Sequence, residues 1–349
     1  MKNGNTDNSI EVKNDDHAER KVVIAFDTSN YTSSAAVLDT RGNILADCRK
    51  LLTVKAGKRG LRQSDALFQH VVNLPELLET AIKEATEAAG RLRIVAVAAS
   101  NRPRPMENSY MPVFLAGEGL ARTLAVSHGV PLKLFSHQEG HIAAARIDDA
   151  ALAEKDASGL AFHLSGGTGE ILLTKGNLPI DIVGGTKDIS FGQLLDRVGV
   201  ALGMRFPAGA EMDAIAEAYR NEFKYHYSRS GNIIPENPIL PQIKIDGSFV
   251  NLSGIETAAQ HLIDKSVHKE MLITELFFRI AAAVEAMIRN AFEHTDTDNV
   301  TLAGGVAASK FLQNYLSEHM DAPCIKMHFS NPKYSVDNAV GTAFLAIGE

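Results

Sequence analysis

The sequence predicts an α/β protein built as a duplicated fold, with two lobes around a central cleft. The first observation is that one order of elements (three strands, then helix, strand, helix, strand, helix) occurs twice in the 349 residues. The period is about 135–140 residues, which is too long for a solenoid. The second observation is a pair of matching stretches, DTSNYTSSAAVLDTRGNIL and LSGGTGEILLTKGNLPI. Each is predicted to be strand, polar turn, strand, Gly-Asn turn and strand. Two such lobes facing each other would suit a nucleotide held between them.

Apolar runs and helical spacing assign the elements of the first half. They are strands at 22–28, 33–39 and 43–49, a helix at 64–88, a strand at 93–100, a helix at 113–127, a strand at 132–135 and a helix at 137–146.

The second half repeats the pattern after about residue 158. Its predicted elements are strands at 159–165, 169–175 and 178–185, helices at 191–203, 210–222 and 270–294, a strand at 300–305, a helix at 307–319, a strand at 324–329 and a helix at 335–347.

These elements predict a domain organisation. We expect a disordered polar leader at 1–20, a first lobe at 21–150 and a second lobe at 151–349. The second lobe contains an insertion at about 222–268, rich in Pro, Asn and Tyr. Insertions of this kind often form part of a substrate site or a partner surface.

Composition excludes several classes of protein. The net charge of −7 argues against binding nucleic acid through bulk positive charge, although a local basic patch remains compatible with it. The two cysteines are too few for a disulfide framework or a cysteine-rich zinc site. No apolar run approaches the roughly 20 residues of a membrane helix, and residues 1–20 have no apolar core of a signal peptide. We therefore expect a cytoplasmic protein without a membrane partner.

The segment His137-Gln-Glu-Gly-His141 carries the clearest chemistry. Histidines at i and i+4 of a helix share one face, and that spacing suits two imidazoles on one metal ion. Zinc peptidases place a glutamate directly after the first His, whereas Glu139 comes one position later. A zinc peptidase is therefore disfavoured. The alternative is a pair of helix histidines that only pack near the surface.

Two further residues could join these histidines in the cleft. His163 lies at the end of a predicted strand, and Asp337 is predicted to begin the last helix. Two or three His with one carboxylate would suit Fe(II), Zn or Mn. An N-cap role explains such an Asp equally well.

Two glycine turns could approach a nucleotide. Ser165-Gly166-Gly167-Thr168 lies between two strands, where backbone N–H groups can meet phosphates, or it is a plain hairpin turn. Ala303-Gly304-Gly305-Val306 joins a strand to a helix, and its alternative role is close helix–strand packing.

Other polar residues have two interpretations each. Asp27, which ends the first strand, could lie near phosphates or metal, or form a turn. Asp196 could bind ribose or magnesium, or simply be solvated. The segment 49–62 has six Lys or Arg and no acid, and could contact RNA phosphates. Arg102 and Arg104 in the NRPRP loop could bind an anion, or remain in solvent.

Taken together, the ordered motifs resemble one family. HQEGH, the SGG turn, FGQLLDRVGVALGMRFPAG, SFVNLSGIETA, LAGGVAAS and SVDNAV follow in a fixed order from about Lys21 to the C-terminus. This set resembles the tRNA threonylcarbamoyladenosine transferases, once called glycoproteases. The resemblance implies the duplicated fold of the actin, hexokinase and Hsp70 ATPases. It also implies transfer of threonylcarbamoyl from threonylcarbamoyl-AMP to adenosine-37 of tRNA. Expected partners are tRNA, a paralogous subunit and a small ATPase.

The resemblance also implies site residues. One divalent metal, Fe(II) or alternatively Zn, would be held by His137, His141 and Asp337, with His163 as a further nitrogen ligand in place of a Tyr of archaeal relatives. The substrate and its nucleotide moiety would contact His163, Leu164, Ser165, Gly166, Gly167, Asp196, Gly209, Gly304, Gly305 and Ser309.

The sequence departs from the family pattern at several positions. The family's Gly-Pro-Gly loop is Arg102-Pro103-Arg104-Pro105, an Asp of the first turn is replaced by Tyr31, and an Asn after the AGG turn is replaced by Ser309. SGGHT has become SGGTG. Two alternatives therefore stand beside the enzyme of the family. One is a diverged paralogue that transfers a carbamoyl or acyl group to another acceptor, and the other is a non-catalytic nucleotide-binding partner of a true family member.

Overall fold

Two sheets with the same strand order form the framework of the chain. The computed structural model describes residues 19–29, 31–54, 61–106, 108–148, 157–222, 225–227, 233–235, 237–320, 325–334 and 337–348. Residues 1–18 of the predicted leader (1–20) lie outside this part, and its last residue, Arg20, already begins the first strand.

The first half confirms every predicted element, with ends that differ by at most two residues. In chain order it contains β1 (Arg20–Asp27), β2 (Thr32–Asp39), β3 (Ile44–Leu51), α1 (Gln63–Ala89), β4 (Leu92–Arg102), α2 (Phe114–His128), β5 (Leu132–Ser136) and α3 (His137–Ala145).

The second half also contains the predicted elements, together with short strands and a helix in the insertion. It contains β6 (Ser158–Leu164), β7 (Gly169–Lys175), β8 (Leu178–Thr186), α4 (Phe191–Ala201), α5 (Gly209–Tyr219), β9 (Tyr225–Tyr227), β10 (Ile233–Pro235), β11 (Ile245–Asp246), β12 (Phe249–Val250), α6 (Ser253–Asp264), α7 (Lys269–Glu293), β13 (Asn299–Ala303), α8 (Lys310–His319), β14 (Lys326–Phe329) and α9 (Val340–Gly348).

The strand order establishes the duplication. The first sheet has the order β3-β2-β1-β4-β5, and the second contains the same arrangement as β8-β7-β6-β13-β14. In both, the first three strands are antiparallel and the last two are parallel to the central one. Both predicted Gly-Asn turns are present, and Gly42 and Gly176 have φ of +87° and +55°, a region that favours glycine.

The first sheet is covered on both faces. Along β1, Val22, Ile24 and Phe26 face the cluster formed with α1 and α2. Val23 and Ala25 alternate onto the opposite face, because successive strand residues point to opposite sides. That opposite face is covered by α9, although α9 is the last helix of the second sequence half. The division at residue 150 therefore remains a proposal, and the packing of α9 crosses it.

Helix α3 lies between the two sheets. Its Ala144 belongs to the cluster of the first sheet, and its Ile142 packs with Ala161 and Leu172 of the second. Just after the helix, the buried Arg146 donates from Nε to Thr301 Oγ1 and from Nη2 to Thr174 Oγ1, each at 3.0 Å. The helix that carries both candidate ligand histidines is therefore anchored to both lobes.

Two predicted helix starts are wrong, and in both cases a capping side chain explains the later start. The helix predicted at 307 begins at Lys310, because Ser309 Oγ accepts from Leu312 N at 3.1 Å. The last helix begins at Val340 rather than at 335, since Asn338 Oδ1 accepts from Val340 N at 3.0 Å. Asp337 therefore precedes the last helix and does not begin it.

The insertion extends the second sheet. Strand β12 pairs in parallel with β8, and β11 pairs with β12 at the sheet edge. Gly184 of β8 has no room for a side chain, because a Cβ there would meet the backbone and side chain of Ser248. No described helix is both long and apolar enough to cross a bilayer.

Candidate metal centre

Helix α3 starts directly at the end of β5, and its first turn is fixed by a capping box. Ser136 Oγ accepts from Glu139 N at 3.2 Å, and Glu139 Oε2 accepts from Ser136 N at 2.6 Å. His137 is therefore the first residue of the helix, and His141 follows one turn later on the same face. Because Glu139 is engaged in the cap, it is not free to act as the base of a peptidase.

Three potential ligand atoms converge at this point. His137 Nε2 and His141 Nε2 lie 2.9 Å apart. Asp337 Oδ1 lies 3.3 Å from His141 Nε2 and 3.5 Å from His137 Nε2. Among the described residues, this is the group of three His, Cys, Asp or Glu side chains close enough to hold a metal ion.

The position of Asp337 depends on the packing of α9 against α3. Gly341 of α9 lies directly on the backbone of Gly140 and Ala144 of α3, so that a Cβ at residue 341 would overlap it. Two glycines on facing helices thus allow the chain just before α9 to reach the histidines.

The donor set fits a divalent metal. Two imidazole nitrogens and one carboxylate suit Fe(II) or Zn. Ligand atoms 2.9–3.5 Å apart match the spacing around an ion with bonds of about 2.0–2.2 Å. His141 Nδ1 has no hydrogen-bond partner among the described residues.

The charged groups of the cluster shift one another's pKa values. Burial alone would lower the pKa of His137, but Asp27 and Asp337 outweigh it and raise the pKa to about 10. Burial would raise the pKa of Asp337, yet the two histidines hold it well below its usual range. Burial and the charge of His137 lower the pKa of His141. One histidine therefore carries the proton that a metal would replace.

His163 lies beside this group. Its ring centroid is 4.7 Å from that of His141, and neither of its nitrogens has a hydrogen-bond partner among the described residues. It is not one of the three residues whose ligand atoms lie within 4.8 Å of one another. Burial, followed by the charges of His141 and His137, holds the pKa of His163 well below its usual value.

The SGG turn adjoins His163 and Leu164 and is a hairpin turn. Ser165 N donates to Thr168 O at 2.8 Å, and Ser165 Oγ accepts from Gly167 N and Thr168 N at 3.3 and 3.0 Å. The turn contacts the start of α4, because Ser190 Oγ donates to Gly166 O at 2.7 Å. Gly166 and Gly167 have open space where a side chain would be.

The second glycine turn lies against the same strand end. Gly304 has φ of +102°, and a Cβ there would overlap Leu164 O. Val306 N donates to Leu164 O at 3.0 Å, whereas Gly305 has open space. Helix–strand packing thus explains Gly304, and Gly305 could admit a ligand.

The remaining predicted substrate residues have structural partners. Asp196 Oδ1 accepts from Ala208 N at 2.8 Å, next to Gly209 at the start of α5. Ser309 donates to Asp213, whose carboxylate also accepts from Lys310 N and Phe311 N at 3.0 and 3.1 Å. These contacts hold helix starts.

The candidate basic sites are paired in part. Arg49 and Lys50 form ion pairs with Asp47 and Glu76, both at 2.7 Å, and residues 55–60 of the basic segment lie outside the described residues. Arg104 Nη2 lies 2.6 Å from Glu170 Oε1. Arg102 Nε is buried and has no hydrogen-bond partner among the described residues.

Sequence reasoning missed three polar residues near the centre. Gln138 Nε2 donates to Glu170 Oε2 at 2.7 Å, and His70 Nδ1 lies 2.8 Å from Ser33 Oγ. Cross-strand register pairs Glu170 with His163, so a sheet alignment would have placed Glu170 there. His70 lies on a long amphipathic helix, where no spacing distinguishes it from a core residue.

The two sheets, with the same strand order, define the fold of the chain. This is the two-lobed fold of the class that includes the actin, hexokinase and Hsp70 ATPases, as the sequence predicted. The chain resembles HypF from T. kodakarensis (TM-score 0.57, 15% identity, 94% of this chain and 48% of that one). It also resembles component A of (R)-2-hydroxyglutaryl-CoA dehydratase from Acidaminococcus fermentans (TM-score 0.50, 14% identity, 95% and 98% covered). At these identities, the likeness concerns the fold alone.

Within this class, the chain belongs to the tRNA N6-adenosine threonylcarbamoyltransferase family, whose model matches residues 53–344. A relative of that name from Streptococcus pneumoniae (strain Taiwan19F-14) is 29% identical over 339 residues, covering 94% of this chain and 92% of the relative. Another, from Streptococcus thermophilus (strain ATCC BAA-491 / LMD-9), is 30% identical over 316 residues, covering 86% and 84%. The predicted family resemblance is confirmed.

Proposed function

We propose that this protein transfers a threonylcarbamoyl group from threonylcarbamoyl-AMP to N6 of adenosine-37 in tRNA, with the assistance of one divalent metal ion. The observation that carries the proposal is the convergence of His137, His141 and Asp337 within 4.8 Å in a chain of this family. In the transfer, the exocyclic amine forms a bond to the carbamoyl carbon and loses a proton. The bond from that carbon to the phosphate oxygen breaks, and AMP leaves.

The three side chains would hold Fe(II), or alternatively Zn. When bound, the ion supplies Lewis-acid stabilisation of the charge that develops on the reacting acyl and phosphate oxygens. The protein contributes a buried setting, since His141 is 6% exposed and His163 is 7% exposed. Electrostatic interactions in such a setting are stronger than in water.

The substrate would lie along the strand ends next to this centre. Open space over Gly166, Gly167, Gly209 and Gly305 supports close approach of a nucleotide to the backbone. We assign the acyl-adenylate to the turns that contain Leu164–Gly167 and Gly304–Gly305. His163 has two unpartnered nitrogens and lies between these turns and His141. It would bind substrate or complete the metal shell.

Asp196 and Ser309 would act indirectly in this arrangement. Asp196 holds the start of α5 next to Gly209, and Ser309 caps α8 just after the second glycine turn. Both would position backbone that lines the nucleotide.

The net charge and one exposed apolar surface support the proposal that the chain works with partner proteins. With a net charge of −7, the chain has little bulk attraction for tRNA. On α1, Phe68, Val71 and Val72 are 69%, 56% and 57% exposed at helical spacing. This apolar face supports a protein partner, for which we propose a paralogous subunit, with a small ATPase as a further component.

The proposed location is the cytoplasm, where a free buried thiol such as Cys48 stays reduced.

One observation favours a second candidate function. The Arg102–Pro105 loop replaces the family's Gly-Pro-Gly, and its Arg104 is paired with Glu170 beside His163. A changed loop at the cleft supports a diverged paralogue that transfers a carbamoyl or acyl group to another acceptor. A non-catalytic partner role is less consistent with the retention of all three potential ligands.

The test is transfer in vitro. Anaerobically purified protein, family partner proteins, threonylcarbamoyl-AMP and tRNA are incubated, and the nucleosides are analysed by mass spectrometry. We expect modified adenosine with the wild-type protein and a loss of at least about 100-fold with Asp337→Asn. Absence of modified adenosine with the wild-type protein, while a known family enzyme is active in the same assay, would contradict the proposal.

A further inference from the structure

Asp27 is a buried carboxylate that contacts the candidate ligand His137 at Nδ1, the ring nitrogen that is not directed at His141. It ends β1, is 1% exposed, and its Oδ1 lies 3.0 Å from His137 Nδ1. Two hydroxyls fix the same carboxylate: Ser29 Oγ donates to Oδ2 at 2.7 Å, and Ser100 Oγ donates to Oδ1. Its orientation is therefore set by β1 and β4 and does not depend on the histidine alone.

We propose that Asp27 is a positioning residue that fixes the metal-binding tautomer of His137; this inference rests on the proposed metal centre. An ionised carboxylate only accepts hydrogen bonds. It therefore places the proton of the neutral imidazole on Nδ1 and leaves the lone pair of Nε2 free. Nε2 is the atom 2.9 Å from His141 Nε2 and 3.5 Å from Asp337 Oδ1.

His137 and His141 differ in their hydrogen-bond partners and in their exposure. His141 Nδ1 has no hydrogen-bond partner among the described residues, and its ring is held by burial within α3. His137 is the first residue of α3, and its side chain is 12% exposed compared with 6% for His141. Asp27 thus supplies to His137 the restraint that packing supplies to His141.

The buried carboxylate of Asp27 also has an electrostatic requirement. Ser29 and Ser100 are neutral donors, and a buried carboxylate needs a compensating positive charge. His137 is the ionisable donor that contacts it. A metal on Nε2 would also supply that compensation through the imidazole ring.

Asp27→Asn tests the inference through metal affinity. A carboxamide can donate from its nitrogen to His137 Nδ1, which favours the tautomer that cannot bind metal through Nε2. Loss of such a partner typically costs 10–100-fold in metal affinity, and we expect a loss of about that size for Zn(II) in competition titrations with a chelating dye. The matched control is Asp39→Asn. Asp39 is also 1% exposed at a strand end, but it binds Asn43 and Arg20 away from the centre. We expect its affinity for Zn(II) to remain within about twofold of wild type.

A second measurement needs no variant and does not depend on how Asp27→Asn folds. In the Zn-loaded wild-type protein, ¹⁵N-correlated NMR of the histidine side chains reports which nitrogen carries the proton. We expect His137 Nδ1 to be protonated and Nε2 to be the bound nitrogen. Binding through Nδ1, or unchanged affinity of a folded Asp27→Asn, would overturn this inference and leave the metal centre in place. A wild-type protein that binds no metal would instead overturn the proposed centre.

Discussion

At the scale of the residue, His70 is a buried imidazole bonded to one side chain, Ser33, which Asn73 contacts in turn. It is 0% exposed, its Nδ1 lies 2.8 Å from Ser33 Oγ, and Asn73 Nδ2 donates to the same hydroxyl at 3.2 Å. Because Asn73 donates to Ser33 Oγ, the Ser33 hydroxyl is free to donate to His70. Burial outweighs the charges of Asp27 and Asp337 and lowers the pKa of His70 to about 4.

The low pKa of His70 predicts a pH dependence of stability. Below pH ~6.5 the unfolded chain takes up a proton at this residue, whereas the folded protein does not until pH falls to about 4. The free energy of unfolding therefore falls with pH in this window, by about 2 kcal/mol for this group between pH 7 and 4.5. Urea unfolding of metal-free wild type and His70→Gln at both pH values measures the difference. Equal pH dependence in the two proteins would refute this origin.

The HxxxH spacing predicts that His137 and His141 share one helix face, and the family resemblance adds Asp337 as the third potential ligand. The partners of those ligands were harder to predict. The sequence places Asp27 only near phosphates or metal, or in a turn, because its contact with His137 requires β1 and α3 to meet. Ser309 and Asp196 are expected at the substrate, and in the structure they also contact other segments: Ser309 donates to Asp213, and Asp196 accepts from Ala208 N at 2.8 Å. Such contacts are not encoded by local spacing.

At the scale of the element, the crossing of α3 and α9 determines whether Asp337 reaches the histidines. A Cβ at Gly341 would overlap Gly140 O, a backbone atom of a helix that cannot move away by changing a side-chain rotamer. We expect Gly341→Ala to lower the free energy of unfolding by about 1–3 kcal/mol and to weaken metal binding, as followed by thermal unfolding and Zn(II) titration.

Gly348→Ala provides the matched control in the same helix. A Cβ at residue 348 meets nothing within 4 Å, so this change should be neutral or stabilising by up to about 1 kcal/mol. Equal effects of the two substitutions would show that the crossing is not tightly packed.

The insertion is fastened to the second lobe by the side chain of Asp188. Its two oxygens accept from Leu252 N at 2.8 Å and Ser253 N at 2.9 Å, at the start of α6. Burial would raise the pKa of Asp188, but the hydrogen bonds it accepts together outweigh burial and lower the pKa to about 2.

Removal of this cap predicts a modest, pH-dependent loss of stability. We expect Asp188→Ala to cost about 1 kcal/mol at pH 7. Because the folded pKa is depressed, the contribution is present above pH ~4 and disappears as pH falls toward 2. Denaturant titrations at pH 7 and pH 3 check the trend. A difference that grows on acidification would contradict the capping role.

Elements with clear periodicity were predictable, and the short ones were not. Strands β11 and β12 have two residues each, which is too short for any alternation to be recognised. They become strands only because β8 offers a free edge and Gly184 lets Ser248 approach. Tertiary packing, and not local sequence, produces this part of the sheet.

At the scale of the whole molecule, Glu170 connects three segments around the cleft. On β7 of the second sheet, it binds Gln138 of α3 at 2.7 Å and Arg104 of the loop after β4 at 2.6 Å. The Arg104 side chain is 43% exposed, so the ion pair contributes little to stability. Its expected role is to restrict the loop.

Glu170→Gln tests that role. We expect faster amide hydrogen exchange of Arg104 and Ser109, whose N–H groups are hydrogen-bonded within the loop, with a melting temperature within about 2 °C of wild type. Glu256→Gln is the control, because Glu256 forms a similar exposed pair with Arg197 at 3.0 Å between α6 and α4. Unchanged exchange in the loop would contradict the restriction.

The duplicated architecture was predictable as a whole because the same order of elements occurs twice along the chain, and both sheets have the same strand order. The place of α9 was not, since its sequence position belongs to the second half and its apolar residues face the first sheet. That crossing closes the fold on itself and brings residue 337 to residues 137 and 141, which is the basis of the proposed centre.

Metal content tests the central claim most directly. After anaerobic purification and loading with Fe(II) or Zn(II), elemental analysis gives the number of ions per chain for wild type and for the double variant His137→Ala/His141→Ala. We predict one ion per wild-type chain and none in the double variant. No ion in the wild type, or the same content in both proteins, would contradict the account.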